Sequence, residues 1–492
     1  MLSVSEGKMD GKEKLKVMLI PFPGQGHLIP MGDMARAFSG RGVRATIVTT
    51  PLNVPTIRGT IGKSSDSDSD SEIEIVSLKF PCVEAGLPEG CENTESIPSP
   101  DLIPNFFNAT TMLQPQLEHL LLRHPPHCLI ASAFYPWASR SAAKFNIPRL
   151  VFYGTGVFPM CVSECLRLYQ PHNNLASDSD PFVIPHLPGN IKMTRTMLPD
   201  YAKTDGEGKY AELLQAIRES EAASLGVIVN SFYELEQAYV DYYEKLQGRR
   251  AWYIGPLSLW NQQQDKGKRG KEASVDEGDI LKWLDSKKAN TVVYVCFGSI
   301  ANFSESQLRE IARGLEDSGQ DFVWVVRRSD KKWLPEGFER RTEGRGVIIW
   351  GWAPQVLILD HQAVGAFVTH CGWNSTLEAV SAGVPMVTWP VAAEQFYNEK
   401  LVTEVLEIGV PVGVKKWARF VGDSVGSEAL EKALNRIMAG EEAEAMRNRA
   451  QKLAQMARTA VESNGSSSRY LTDLIQQLHS IAGLQNCPKS CQ

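Results

Sequence analysis

Short apolar runs that alternate with helical patterns constrain the fold of this chain more than any other feature. In the N-terminal half, such runs occupy residues 16–22, 44–50, 73–80, 128–132, 149–153, 226–231 and 251–257, and a helical pattern over 29–39 follows the first. The pattern restarts at residues 291–299, 321–326, 347–350, 366–370 and 385–390. Since short, continuous apolar strands separated by helices are typical of parallel sheets covered on both faces, the sequence predicts two doubly wound α/β domains.

A polar segment separates the two series of strands. Residues 258–278 have the Gly-, Lys- and Gln-rich composition of a linker. A length of 492 residues also exceeds what one compact core accommodates. We therefore expect an N-terminal domain over 1–257, an interdomain linker over 258–278 and a C-terminal domain over 279–465. Two such domains place a cleft between the carboxyl ends of their strands.

Composition excludes several classes of function. The net charge is −6 and no block of Lys and Arg is present, so we expect no nucleic-acid partner. The nine cysteines form no CxxC pairs, which argues against a zinc site or a disulfide framework. The polar first residues and the absence of a long apolar stretch predict a cytoplasmic protein without stable membrane insertion. The acidic tract at 64–72 is interpreted as a mobile surface loop rather than a metal site.

The segment PFPGQGHLIP, residues 21–30, joins the first strand to the first helix. Its glycines do not complete a dinucleotide fingerprint, because Ile29 stands where the third glycine is required. Thr49 and Thr50 end the second strand, where a ribose-binding carboxylate is expected, so an oxidoreductase is a distant alternative. Position alone leaves His27 open between a structural residue of the turn and a catalytic base at the edge of the cleft.

The segment HCGWNSTLEA, residues 370–379, has the properties of an anion site. A strand ends at His370 and a helix opens near Asn374 or Ser375, so unpaired backbone N–H groups and side-chain donors converge on one turn. A second small turn, which contains Ser299, ends another strand. Together the two turns suit a diphosphate without requiring a metal. Glu378, one helical turn beyond Asn374, is placed to accept hydrogen bonds from ribose hydroxyls.

Residues 352–395, from WAPQ to AAEQ, resemble the nucleotide-sugar signature of plant secondary-product UDP-glycosyltransferases. The segments GQGHLIPM, VNSFYELE, IGPL, CFGS and NGSSSRYL are also similar to that family, so the likeness extends over nearly the whole chain. The resemblance implies the GT-B fold, in which two Rossmann-like domains face each other across a cleft. The N-terminal domain would bind the acceptor, the C-terminal domain would bind the UDP-sugar, and a final helix within 466–485 would pack back on the N-terminal domain.

The resemblance also assigns roles on the donor side. Gln at position 395 is associated in the family with glucose donors, so the implied co-substrate is UDP-glucose, with no other cofactor and no metal. The residues implied to bind it are Trp352 and Ala353 for uracil, Gln355 and Glu378 for ribose, Ser299, His370, Asn374 and Ser375 for the phosphates, and Trp373, Glu394 and Gln395 for the sugar.

The implied reaction is an inverting displacement in which His27 is the general base and a β-glucoside is formed. The family normally pairs this histidine with an aspartate, in a segment of the type CLVAD-x-F. Here the matching segment is CLIASAFYPW, and Ser132 stands at the aspartate position. Three hypotheses remain open. The acceptor is acidic enough to need only a weak base, a carboxylate such as Glu84 or Asp101 replaces the aspartate, or the enzyme is slow, specialised or partly inactive.

The acceptor is expected to be a small plant secondary metabolite, a flavonoid, another phenolic or a triterpenoid, glucosylated on a hydroxyl or a carboxyl group by a monomeric enzyme. Its pocket is expected to draw on residues 153–160 and 185–199. The acceptor residues expected individually are Gly26, Phe134, Tyr135, Trp137 and Tyr153. The alternative is a UDP-sugar-binding protein that has lost catalysis together with the aspartate. Retention of His27 favours an enzyme, because a protein that only binds has no need of the base.

Overall fold

The structure is a computed structural model that describes residues 13–62, 72–203, 209–261, 266–299, 301, 303–328, 330–419 and 422–483. The acidic tract at 64–72, interpreted as a loop, lies outside the described residues except for Glu72, which forms an ion pair with Lys14.

A seven-stranded parallel sheet organises the N-terminal domain, in the order β3-β2-β1-β4-β5-β8-β9. Its central strands are buried along nearly their whole length, as the apolar runs predict for a sheet covered on both faces. Residues 181–183 and 192–194 form a separate antiparallel pair, β6-β7, that the sequence did not reveal. The strands are β1 (Lys16–Ile20), β2 (Arg44–Thr49), β3 (Ile73–Ser77), β4 (Cys128–Ser132), β5 (Arg149–Tyr153), β6 (Pro181–Val183), β7 (Lys192–Thr194), β8 (Gly226–Val229) and β9 (Ala251–Tyr253).

A six-stranded parallel sheet organises the C-terminal domain, in the order β12-β11-β10-β13-β14-β15. The edge strand β15 is short and was not predicted, because its apolar run is interrupted by Pro411. The strands are β10 (Val292–Cys296), β11 (Asp321–Val326), β12 (Gly346–Trp350), β13 (Val364–Thr369), β14 (Met386–Thr388) and β15 (Gly409–Pro411).

Helices cover both sheets. The first begins at Gln25, four residues earlier than its apolar spacing predicts, because Gly24 takes an extended conformation and serves as its N-cap. The helices are α1 (Gln25–Ser39), α2 (Val54–Ile61), α3 (Ile103–Thr111), α4 (Gln114–Arg123), α5 (Ala138–Lys144), α6 (Val157–Tyr169), α7 (Asp200–Lys203), α8 (Lys209–Ala222), α9 (Tyr233–Gln247), α10 (Glu277–Asp285), α11 (Glu305–Asp317), α12 (Phe338–Arg341), α13 (Gln355–Leu359), α14 (Trp373–Ala382), α15 (Gln395–Lys400), α16 (Ser427–Met438), α17 (Glu441–Val461) and α18 (Ser466–Ile481).

The last helix returns to the N-terminal domain. Leu471, Leu474 and Leu478 of α18 are fully buried in the same apolar cluster as β1, β2 and β4. Asp473 accepts hydrogen bonds from the indole of Trp252 at 2.9 Å and from Arg250 at 2.7 Å. These contacts join α18 to the N-terminal sheet. No helix within the described ranges is long and apolar enough to cross a membrane.

The strand order places the carboxyl ends of the central strands of each sheet at the cleft. In the N-terminal sheet β1 lies between β2 and β4, and in the C-terminal sheet β10 lies between β11 and β13. The order reverses at these points, so the helices that follow leave in opposite directions and open a crevice at the carboxyl ends of the strands. His27 and Ser132 lie at this crevice in one domain, and Ser299 and His370 lie at it in the other.

Candidate active site

His27 lies in the first turn of α1, directly after the turn that follows β1. The rings of Phe22, Phe134 and Phe152 surround its imidazole, with centroids 5.9, 5.5 and 6.1 Å away. Its Nδ1 lies 3.2 Å from Oγ of Ser132, the last residue of β4. Because burial withholds water from the charged form, the pKa of His27 falls to about 4. The imidazole is therefore neutral at neutral pH and can accept a proton.

The hydroxyl of Ser132 supports His27 in a different way from a carboxylate. Oγ also accepts a hydrogen bond from the backbone N–H of Phe134 at 3.3 Å. A hydroxyl can donate to Nδ1 or accept from it, so it leaves both tautomers of the imidazole available. It also carries no charge to offset an imidazolium ion. Ser132 thus orients the ring without stabilising its protonated form.

No carboxylate within the described residues forms a hydrogen bond or ion pair with His27. Glu84 pairs with Lys79 at 2.8 Å on the surface, and Asp101 interacts with the neighbouring Ser99. The hypothesis that Glu84 or Asp101 replaces the missing aspartate is therefore wrong in this structure.

Gly154, directly after β5, lies against the opposite edge of the imidazole. A Cβ atom at this position would lie 3.0 Å from Cε1 and 3.1 Å from Nε2 of His27, closer than an ordinary van der Waals contact. Both residues line the same cavity. Absence of a side chain at position 154 therefore leaves Nε2 room to meet a ligand there.

On the other side of the cleft, His370 lies between β13 and α14. Its ring packs between two glycines, since a Cβ at Gly298 would lie 2.5 Å from its Cε1 and one at Gly372 would lie 2.4 Å from its Nε2. Burial lowers the pKa of His370 to about 4. Gly372 is the N-cap of α14, so the unpaired N–H groups of the first helical turn lie beside this ring. The neutral imidazole and the backbone N–H groups of α14 can thus both donate hydrogen bonds to an anion.

Several buried polar atoms of this side have no hydrogen-bond partner in the part of the chain that the structure describes. Nδ1 of His370, Oδ1 of Asn374 and Nε1 of Trp352 are among them. The amide nitrogen of Asn374 donates across the cleft to the carbonyl of Gly26 at 3.3 Å. That carbonyl is available because residue 30, one helical turn later, is a proline without an N–H. Buried polar atoms left unpaired at a helix N-terminus indicate a site for a polar ligand.

Gln355, Ser375 and Glu378 form one hydrogen-bonded group. The side-chain amide of Gln355 donates to Oγ of Ser375 at 3.1 Å and to Oε2 of Glu378 at 2.7 Å. Glu378 also accepts from Arg269 of the interdomain segment. The structure thus brings together the two residues that the resemblance implies for ribose.

A cavity of about 950 Å³ opens beside His27. Phe134, Tyr153 and Gly154 line it from the N-terminal domain, and Glu394 and Tyr397 from the C-terminal domain. Its lining combines aromatic and apolar side chains with charged ones, and a concave site of this size suits a small molecule. The cavity meets His27 on one side and the C-terminal domain on the other.

Comparison with known proteins identifies this arrangement. The family model described as "UDP-glucoronosyl and UDP-glucosyl transferase" matches residues 249–450. The scopoletin glucosyltransferase of Nicotiana tabacum is 54% identical over 468 residues, which cover 94% of this chain and 98% of that protein. The chain belongs to the UDP-glycosyltransferase family. UDP-glucose flavonoid 3-O-glucosyltransferase 7 of Fragaria ananassa is 53% identical over 96% of this transferase and 97% of its own length.

Solved structures confirm the predicted GT-B fold of the transferase. Glycyrrhiza uralensis UGT73P12, complexed with glycyrrhetinic acid 3-O-monoglucuronide, superposes with a TM-score of 0.89 and is 41% identical, with 96% of each chain covered. Medicago truncatula UGT71G1, complexed with UDP-glucose, superposes with a TM-score of 0.77 and is 28% identical, over 94% of this chain and 98% of that one.

Two expected acceptor residues of the transferase lie in the core. Tyr135 and Trp137 are almost completely buried in the apolar cluster beneath α3 and α4, and the hydroxyl of Tyr135 donates to the carbonyl of Pro21 at 3.2 Å. Both residues belong to the segment 133–137 that joins β4 to α5, and their side chains turn inward there. The expectation is corrected for both residues, as it is for residues 185–199, which do not border the cavity.

The residues implied for the sugar differ in their surroundings. The indole of Trp373 is buried between the domains, where it donates to the carbonyl of Asn230 at 2.7 Å. Oε1 of Gln395 accepts from two backbone N–H groups of residues 391 and 392 at 2.8 Å each. Burial raises the pKa of Glu394, which lines the cavity. Of these three side chains, Glu394 alone borders the cavity.

The far end of the cavity was not predicted. There Glu221 accepts hydrogen bonds from the hydroxyls of Tyr153 at 2.5 Å and Tyr243 at 3.1 Å. Arg167 and Arg218 also line it. Tyr153 ends β5 and was expected as an acceptor residue. The other residues come from α6, α8 and α9, whose sequences have the ordinary amphipathic pattern of surface helices, so no local signal marks them. Within the described ranges, no group of His, Cys, Asp and Glu residues is arranged to hold a metal ion.

Proposed function

We propose that this transferase moves glucose from UDP-glucose to an acidic hydroxyl group, of the phenol type, on a small plant secondary metabolite. The observation that carries the proposal is the pairing of His27 with the neutral hydroxyl of Ser132 at 3.2 Å. The relatives named for scopoletin and flavonoid glucosylation support a phenolic acceptor. The acceptor binds in the cavity beside Phe134 and Tyr153, and the donor binds at the N-terminus of α14.

Nε2 of His27 takes the acceptor proton while the acceptor oxygen attacks the anomeric carbon from the face opposite UDP. For this step the proton on the neutral ring must reside on Nδ1, from which the hydroxyl oxygen of Ser132 accepts a hydrogen bond. Attack from the opposite face inverts the configuration, so an α-linked donor yields a β-glucoside.

The acidity of the acceptor follows from the energetics of the protonated base. Burial holds the pKa of His27 at about 4, and no carboxylate of the described residues offsets the charge that proton transfer creates. Each unit of pKa mismatch between acceptor and base costs about 1.4 kcal/mol. An aliphatic alcohol is several units less acidic than a phenol, whose pKa is about 10. A phenol, or a carboxyl group, therefore needs far less assistance from the base.

The leaving diphosphate is stabilised by the turn on the other side of the cleft. The N–H groups at the start of α14, with the side chains of Ser299, His370, Asn374 and Ser375, provide donors where negative charge develops. In this proposal the donors substitute for a metal ion. Glu394 and Gln395 select the glucose hydroxyls.

The absence of the aspartate also favours one alternative, a UDP-sugar-binding protein with weakened or lost catalysis. Incubation with UDP-glucose and a matched pair of acceptors, a phenol and a benzylic alcohol on the same ring system, separates the two functions. We expect a glucoside of the phenol by mass spectrometry, stoichiometric release of UDP, and little product from the alcohol. Tight UDP binding without product from any phenol or carboxylic acid would support the binding protein.

A further inference from the structure

The interdomain segment over residues 266–276 crosses the cleft at the nucleotide end of the site. Gly270 has a φ of +90°, and its carbonyl approaches α2 so closely that a Cβ at Gly59 would lie 2.3 Å from that oxygen. On the other side, a Cβ at Gly270 would lie 2.8 Å from the indole of Trp352. The segment therefore packs between α2 of the N-terminal domain and the residue implied to stack on uracil.

Backbone pairing fixes the end of this segment to the C-terminal domain. The N–H of Ser274 donates to the carbonyl of Trp352 at 2.8 Å, and the N–H of Trp352 donates to Oγ of Ser274 at 2.9 Å. Lys271 extends back to Glu95 of the N-terminal domain at 2.6 Å, and Glu95 also accepts from Arg327 of the C-terminal domain at 3.0 Å. The linker and both domains thus meet beside the implied donor site, at the buried carboxylate of Glu95.

Arg269 makes the most buried of these contacts. Its Nε and one terminal nitrogen donate to Oδ2 of Asp33 at 3.0 and 2.7 Å, and its other terminal nitrogen donates to Oε1 of Glu378. The side chains of Arg269, Asp33 and Glu378 are only 16%, 1% and 8% exposed. Burial alone would lower the pKa of Arg269, but the two carboxylates raise it, so the guanidinium stays charged. Such a buried group is stable only while its geometry is kept.

Glu378 is held from two directions. Arg269 occupies Oε1, and the amide of Gln355 donates to Oε2 at 2.7 Å. A carboxylate has about four lone-pair sites, so two remain for further donors. Because the planar guanidinium and the amide fix the carboxylate plane, those free lone pairs have a set direction before any ligand arrives.

We propose that Arg269 is a positioning residue for nucleotide recognition, which orients Glu378 toward the ribose diol and couples docking of the linker to binding of the nucleoside diphosphate. The proposal rests on the assignment of Glu378 to ribose within the proposed function. Asp33 anchors the other end of the guanidinium in α1, the helix that carries His27. Binding of the nucleotide and placement of the catalytic helix therefore depend on the same side chain.

Affinities for UDP and for 2′,3′-dideoxy-UDP, measured by calorimetry, test the proposal. Hydrogen bonds to a charged group are strong, so we expect Arg269→Met to weaken UDP binding about tenfold and to leave the dideoxy analogue within about twofold. The preference for UDP over the analogue should therefore shrink. Asp33→Asn, which keeps Arg269, should give a smaller loss of UDP affinity and should likewise spare the dideoxy analogue. Arg436→Met, which removes an exposed ion pair with Glu442, is the matched control and should change neither affinity.

Two results for Arg269→Met would overturn the proposal. UDP binding that is unchanged or tighter in Arg269→Met would mean that the guanidinium is neutral toward the ribose or obstructs it. Equal losses for both nucleotides, with thermal stability retained, would mean that Arg269 acts elsewhere than at the diol. Glu378→Gln separates the proposal from its foundation. If this variant keeps the wild-type preference for UDP, the ribose assignment itself is wrong. If it loses the preference while Arg269→Met keeps it, the ribose assignment stands and the role of Arg269 fails.

Discussion

The proposed donor side of the cleft concentrates its polar groups in one turn, whereas the proposed acceptor side draws its cavity from separate helices and strand ends. His370, Asn374, Ser375 and Glu378 lie within nine residues, at the junction of β13 and α14. The cavity beside His27 is lined by residues from β5, α6, α8 and the C-terminal α15. A contiguous turn keeps its geometry when surrounding residues change, so one donor site can serve reactions with different acceptors. A cavity built from separate elements can change one wall at a time, which allows its selectivity among acceptors to vary.

The two histidines make the same contrast in chemical terms. Burial lowers the pKa of both His27 and His370 to about 4. His370 has an unpaired Nδ1 beside a helix N-terminus, an arrangement for donating to an anion. His27 has a serine hydroxyl on Nδ1 and a cavity beside Nε2, an arrangement for accepting a proton. The surroundings, rather than the residue type, separate the two roles.

Removal of the proposed base gives the largest expected effect on the acceptor side. His27→Ala should lower kcat by about 10²- to 10⁴-fold, the usual contribution of a positioned general base. UDP affinity, measured by calorimetry, should stay within about twofold because the donor contacts lie in the other domain. Turnover of a phenol at the wild-type rate by this variant would remove His27 from the mechanism.

Removal of Trp352, the proposed platform for uracil, gives the next largest expected effect, now on the proposed donor side. Stacking of a base on an aromatic ring contributes about 1–3 kcal/mol, so Trp352→Ala should weaken UDP binding by about tenfold to a hundredfold. The KM for the acceptor should change little. Trp283→Ala, which removes a ring of α10 that lies under Lys287, is the control. Equal losses in both tryptophan variants would show that the effect is on stability rather than on stacking.

The pH profile tests the base itself. A histidine whose pKa is lowered to about 4 is neutral, and therefore active, throughout the neutral range, and it loses activity only as the pH falls through that value. With a phenol that stays un-ionised, kcat/KM should vary less than about twofold between pH 8 and pH 6 and should drop about tenfold per unit well below pH 4. An acidic limb near pH 6.5, the ordinary value for histidine, would contradict the burial argument.

Removal of the Tyr135 hydroxyl gives the smallest expected effect. Tyr135→Phe loses the hydrogen bond to Pro21, which should cost about 1 kcal/mol of unfolding free energy and leave the KM for the acceptor unchanged. Phe134→Ala, one residue away but in the cavity wall, should instead raise that KM. The two variants together test which of the neighbouring side chains borders the cavity. A larger KM change in Tyr135→Phe than in Phe134→Ala would contradict the assignment of Tyr135 to the core.

The strands and the turn at His370 could be predicted from the sequence better than the cavity, for physical reasons. Continuous apolar runs such as β4 and β13 report burial on both faces, and the glycines around His370 report a tight approach of the chain. The positions of Glu221 and Arg218 depend instead on how α8 docks, which no local pattern encodes. Arg269 was read as part of a polar linker, because its burial arises only when Asp33 and Glu378 meet across the cleft.

Replacement of Ser132 by aspartate tests the central claim, that a neutral partner of His27 restricts the acceptor to acidic hydroxyls. The measurement is kcat/KM for a series of phenols and alcohols of increasing pKa, in the wild type and in Ser132→Asp, with Ser132→Asn as the uncharged control. We predict a steep loss of rate with acceptor pKa in the wild type, a shallower loss in Ser132→Asp through gains confined to the weakly acidic acceptors, and no such gain in Ser132→Asn. An acceleration of acidic phenols by orders of magnitude in Ser132→Asp, or parallel slopes in all three proteins, would contradict the account.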